Sequence, residues 1–171
     1  WEDYVTAASW IHGRCRSRDF TRKDFRETYE YLINSGLDFQ AAQFDPNITH
    51  EERPAAEEEA RAFYAENYPD DVNYRGFVGF NYDNSTSLEP RLDAEYYFPI
   101  HYMEPVTGNE KAIDLDYHAS GSRKRTVLSC MENGTPALTD RLTLVQEKTE
   151  SAFGVVLMHP GYNLTTEDDV W

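Results

Sequence analysis

Near residue 73 the spacing of the apolar side chains changes from the helical period to the strand period, and this change limits the fold more than any other feature. In "FTRKDFRETYEYLINSG" the residues Phe25, Tyr29, Leu32 and Ile33 recur at i, i+4, i+7 and i+8, and Asn34-Ser35-Gly36 supplies a helix stop. A more ragged pattern over residues 1–18, with Trp1, Val5, Ala8 and Trp10, predicts a helix before it. "LDFQAAQFDPNI" reads as a short strand into a turn, and "THEERPAAEEEARAFYAENYP" as a further helix. Thr49 and Glu52 offer a capping box, but Pro54 suits a first helical turn, so the helix can start there instead. After residue 73 alternation prevails: "YRGFVGFNYD", "EYYFPIHYME", "ALTDRLTLVQE" and "FGVVLMHPGY" predict strands around one more helix, "SRKRTVLSCMENG". Val127, Leu128 and Met131 form its inner face and Gly134 its left-handed stop. Helices first, then strands around a helix, predict an α+β domain with a mostly antiparallel sheet.

Charge and motif content remove whole classes of function. The net charge of −15 repels nucleic acid and anionic lipid, so no nucleic-acid partner is expected. No run reaches the eighteen or so apolar residues of a membrane span. Trp1 opens without a basic leader, so the chain reads as an excised piece of something longer. The five histidines make no metal-ligand spacing, and Asp114 and Asp116 form a lone D-x-D that could hold a cation but is weak evidence for one. No metal, cofactor or catalytic residue is therefore expected, and an enzyme is a distant third reading.

Cys15 and Cys130 are either two buried thiols or one long-range disulfide. Four N-x-[ST] sequons, at Asn47, Asn84, Asn133 and Asn163, fall in turns or at a terminus. They tilt the reading toward an extracellular or lumenal glycoprotein, and with it toward the disulfide.

Five stretches, in order and at compatible spacing, resemble the CHASE domain family from about Phe20 to Tyr162. They are "FTRKDFRETYEYLINSG", "FDPNITHEER" with Arg53 in the arginine place, "YYFPIHYMEPVTGNEKAIDLDYHAS", "ALTDRLTLVQE" and "FGVVLMHPGY". Ile48, Pro54, Ala112-Ile113 and Gly161 depart from the family pattern. The resemblance implies the extracellular sensor domain of a transmembrane receptor, placed on the outer side of the plasma membrane. It implies a PAS-like sensor sheet over residues 19–171, preceded by the end of a stalk helix at 1–18. It also implies flanking membrane helices absent from this chain, a homodimeric parent, and a histidine kinase or nucleotide cyclase as its output.

The resemblance carries site residues too. In cytokinin-binding members an acidic residue after the F/Y-x-P-V segment accepts hydrogen bonds from the purine, and a threonine on a later strand assists. Here these fall on Glu104 and Thr139. Strand alternation puts Tyr96, Phe98, Ile100, Tyr102 and Glu104 on one face, which makes Phe98 and Tyr102 the aromatic wall for a planar, adenine-like small molecule. Arg141 is the candidate partner for an anionic group, or else the partner of a surface carboxylate. The alternative function is a glycosylated extracellular interaction domain without a small-molecule pocket.

Overall fold

Thr21 starts the clearest helix by the chemistry its sequence requires. Its hydroxyl accepts from the Asp24 N–H while the Asp24 carboxylate accepts from the Thr21 N–H, a reciprocal cap that ties off two orphan donors. The computed structural model describes residues 2–15, 20–81, 87–119, 121–143, 145 and 153–161. Its helices are α1 (Glu2–Cys15), α2 (Arg22–Asn34), α3 (Arg53–Asn67) and α4 (Gly121–Asn133), with a 3-10 turn at Glu110–Ala112. The strands are β1 (Ala42–Phe44), β2 (Ile48–Thr49), β3 (Val78–Gly79), β4 (Glu89–Pro90), β5 (Tyr96–Tyr97), β6 (Tyr102–Glu104), β7 (Ala137–Leu138), β8 (Leu142–Thr143), β9 (Phe153–Gly154) and β10 (Leu157–Met158). This is an α+β chain of short, antiparallel strand pairs.

The third helix starts beside the proline and not with the capping box, for its N-cap, Glu52, makes no side-chain cap bond. Thr49 and Glu52 do bond reciprocally, closing a turn, and α3 begins just after it with Pro54 in its first turn. Residues 96–104 form the spine of the sheet. On one side they pair with β1 and β2; on the other, Ile100 exchanges bonds with Asp114 and Leu115. Val78 then bonds to Asp114 and Asp116 in parallel, and β4 closes that edge. Gly79 is needed at that edge, because a Cβ there would lie 2.7 Å from the Ala119 Cβ. A second antiparallel ribbon, β7–β10 and β8–β9, packs by α4, which ends at Gly134 with φ +63° as expected.

The spine is not one regular strand. Phe44 pairs with Tyr102 and Ile48 with Tyr97, so three residues, 45–47, face four, 98–101. The extra residue is a β-bulge, and it inverts the side-chain parity beyond it. Phe98, Ile100 and Met103 therefore share one core, with Val127 and Cys130 of α4 and Met158 of β10. Tyr102 and Glu104 turn to the opposite face, against α2 and α3. The uniform alternation expected for Tyr96 to Glu104 is corrected at this point: it holds through Ile100 and reverses after it.

Candidate functional site

The two faces of the spine hold different chemistry. On the Phe98 side, α1, α2, β1, α4 and the β7–β10 ribbon surround a cleft of about 850 Å³. That is within the roughly 300–1,000 Å³ range of small-molecule sites. Ala8 and Ile11 of α1, Leu32 of α2, Phe98, Val127 and Leu157 are among its mainly apolar walls. Gln43, Asp45 and His159 bring polar groups to it. The His159 ring lies 3.0 Å from the Ser9 hydroxyl of α1, so α1 is tied to the chain just after β10.

Asp45 stands out electrostatically. Its Oδ1 is shielded from solvent and has no hydrogen-bond partner. Burial pushes its carboxyl up to about 8. Nearby Tyr117 is also raised, chiefly by burial and further by the Asp45 charge, and its hydroxyl donates to Gln43 at 2.6 Å.

The opposite face holds an ionic cluster in which Arg22, His101 and Asp114 are buried and Glu59 is half-exposed. Arg22 binds both oxygens of Glu59, at 3.0 and 2.8 Å, and also donates to the His101 carbonyl. Its guanidinium lies over the Phe63, Tyr64 and Tyr102 rings at 4.8, 5.2 and 4.6 Å. The His101 ring bridges Asp114 at 3.1 Å and Glu59 at 3.2 Å. Burial alone would lower the imidazole pKa, yet hydrogen bonds to Asp114 and Glu59 hold it above its ordinary value. Against the effect of burial, His101 and Arg22 hold Glu59 down at about 2. Tyr74 donates to the other Asp114 oxygen at 2.6 Å.

The expected site residues part company here. Phe98 lines the cleft. Tyr102 and Glu104 line a separate space of only about 10 Å³ beside Arg22, Phe25 and Tyr64, room for at most a water. The Glu104 carboxylate is occupied by Arg26, whose Nε donates at 2.9 Å and whose other nitrogen donates to Tyr68. Thr139 is buried at a second irregularity, where three residues of one strand, 139–141, face two of the other, 155–156. Its hydroxyl accepts from the Val156 N–H at 2.9 Å. Arg141 lies over the Phe153 ring, 3.4 Å from its centre.

Asp114 and Asp116, offered as a cation pair, diverge. Asp114 has φ +53° and faces His101 and Tyr74, whereas Asp116 binds Arg91 at 2.6 Å and the Phe98 and His118 N–H groups. Among the described residues no group of three His, Cys, Asp or Glu could hold a metal, and no helix is long and apolar enough to cross a membrane.

Cys130 is a buried free thiol whose S–H reaches the Met158 carbonyl at 3.6 Å; the Cys15 side chain lies outside the described residues. Asn47 and Asn133 are exposed, and Asn84 and Asn163 lie outside the described residues.

Sequence reasoning missed Asp45, Arg22, Glu59 and His101. For Arg22 there was a signal: it lies three residues before Phe25 and ten before Leu32, on the apolar stripe of α2. A charge in that stripe needs buried partners.

The family model described as CHASE domain matches residues 18–170, nearly the whole chain. No curated protein matches it.

Proposed function

We propose a ligand-sensing role, from the premise that this chain belongs to the CHASE domain family, whose members serve as sensor domains of receptors. The observation that carries the reading is the cleft of about 850 Å³ between the sheet and the helices. Its walls come from α1, α2, β1, α4 and the β7–β10 ribbon, so one occupant would bridge elements distant in sequence. Residues 2–15 of α1 precede the matched residues 18–170, and Tyr4, Ala7, Ala8 and Ile11 of that helix line the cleft. Helix α1 is thus the candidate end of a stalk, and a bound molecule would bear directly on it.

In this reading the domain is PAS-like and lies outside the cell in a homodimeric membrane receptor. Its output is a nucleotide cyclase or a histidine kinase. The exposed sequons at Asn47 and Asn133 support the extracellular placement. Phe98 supplies the aromatic wall. A ligand role for Glu104, with Tyr102, Thr139 and Arg141, requires Arg26 first to release the carboxylate.

A thermal-shift panel of adenines, amino acids and small carboxylates tests the proposal. A true ligand at a hundred times its Kd stabilises by about 2.7 kcal/mol. At about 2–4 °C per kcal/mol for a chain this size, that is a shift of roughly 5–10 °C. Filling the cleft with Ala8→Trp should abolish the shift. A ligand whose effect survives that substitution would place the site elsewhere.

A further inference from the structure

The buried carboxylates of this fold are provided for, whereas one oxygen of half-buried Asp45 is not. Asp114 has His101 and Tyr74, Asp116 has Arg91 and two backbone N–H groups, and Glu104 has Arg26. Asp45 differs: among the described residues, its Oδ1 and Nδ1 of His118 are the shielded side-chain atoms with no partner. The local chain cannot supply a donor readily. Phe44 precedes it, Pro46 follows with no N–H to give, and the Tyr117 hydroxyl is committed to Gln43. An unmet carboxyl oxygen of this kind costs free energy in the empty protein. The residue itself lines a mainly apolar cleft large enough for a small molecule.

We infer that the ligand of this cleft is an apolar molecule carrying an N–H donor, an amine or a ring N–H, which bonds to Asp45. The inference rests on the reading of the cleft as the ligand site and adds the chemical class. The body of the ligand meets Leu32, Phe98, Val127 and Leu157, and its donor meets the carboxyl. Because Oδ1 is shielded, the ligand's donor reaches it only after the Asp45 side chain rotates toward the cleft. An anionic ligand is disfavoured, since it would face Asp45 in a chain of net charge −15.

Two matched pairs of probes test the inference on the 171-residue chain by ligand-observed NMR. Indole is compared with 1-methylindole, and phenethylamine with its N,N,N-trimethyl ammonium counterpart, so each pair differs in N–H donation. The expected result is that at least one N–H member binds about ten-fold more tightly than its methylated partner. Asp45→Leu should erase that preference and raise the melting temperature of the unliganded chain by a few degrees, so loss of binding cannot be loss of fold. If only the amine pair shows the preference, the donor is cationic; if only the indole pair does, it is a neutral ring N–H. Binding without preference for the donor, or a preference that survives Asp45→Leu, overturns this inference and leaves the cleft reading standing. No binding by any of the four probes overturns this inference, whereas the cleft reading falls only if the thermal-shift panel also finds no ligand.

Discussion

Replacing Arg22 by methionine tests the central claim about the far face of the sheet. The side chain is 8% exposed, and methionine fills much of the same volume without charge. Removing one partner of a fully buried ion pair costs about 3–5 kcal/mol. Glu59 is half-exposed, so part of its carboxylate rehydrates and the lower end applies. The His101 carbonyl loses a charged donor and three rings lose the guanidinium, so the net loss should be about 3 kcal/mol. For a chain of this size that is a fall of roughly 6–12 °C in Tm. Urea titrations at pH 6 would read it, for wild type, Arg22→Met, Glu59→Gln and the double variant. The Arg22→Met loss should shrink by about 1 kcal/mol when Glu59 is already neutral. Arg22→Lys should restore little, because an ammonium cannot hold both Glu59 oxygens and stack on the rings. A loss below about 0.5 kcal/mol, or the same loss in both Glu59 backgrounds, would refute the reasoning.

Three further outcomes are expected. The His101 pKa is raised above 6.5, so its stabilising contribution is complete below pH 6.5 and is lost as pH rises through the raised value. Glu59 is held at about 2, so its contribution is complete above the ordinary carboxylate range and is lost as pH falls toward 2. Cluster stability should therefore peak between the two, and the difference between wild type and His101→Gln should shrink from pH 6 to pH 9; a constant difference contradicts this. Thr139→Val leaves the Val156 N–H unmatched and should cost about 1–3 kcal/mol, while Thr139→Ser should cost much less. Equal stability of the two variants would remove the hydroxyl from the account. Glu104→Ala should cost about 1 kcal/mol through Arg26 and leave affinity for a cleft ligand unchanged; a ten-fold loss of affinity would return the ligand to the Glu104 side.

The features legible in the sequence were those set locally. The end of α2 at Asn34 and the Gly134 stop depend on residues within a turn of one another, and both lie where the pattern puts them. The positions that failed depend on long-range register. One extra residue among 98–101 is set by what lies opposite, at 45–47, and no pattern within "EYYFPIHYME" records it. Because side-chain period in a strand is two, that single residue carried Tyr102 and Glu104 away from Phe98. The same distance effect hid Arg22, whose partners Glu59 and His101 are 37 and 79 positions away. Asp45 looked like an ordinary turn residue because shielding of its Oδ1 is a property of the assembled cleft.

Helix α2 joins the two faces, and this bears on how sensing would work. Arg22 at its start is held in the ionic cluster, and Leu32, ten residues on, lines the cleft. At 1.5 Å per residue the two are about 15 Å apart along the helix. A ligand shifts a conformational equilibrium only through contacts that differ between the states. Contacts to α1 and to the far end of α2 can differ if those helices move over the sheet, whereas the start of α2 is pinned by Glu59 and the His101 carbonyl. The cluster then acts as the fixed end about which the cleft wall is set. Weakening it with Arg22→Lys should change ligand affinity although Arg22 touches no part of the cleft, and Lys23→Ala, on the exposed side of the same helix, should not. Equal ligand affinity in wild type and Arg22→Lys would mean that the two faces are energetically independent.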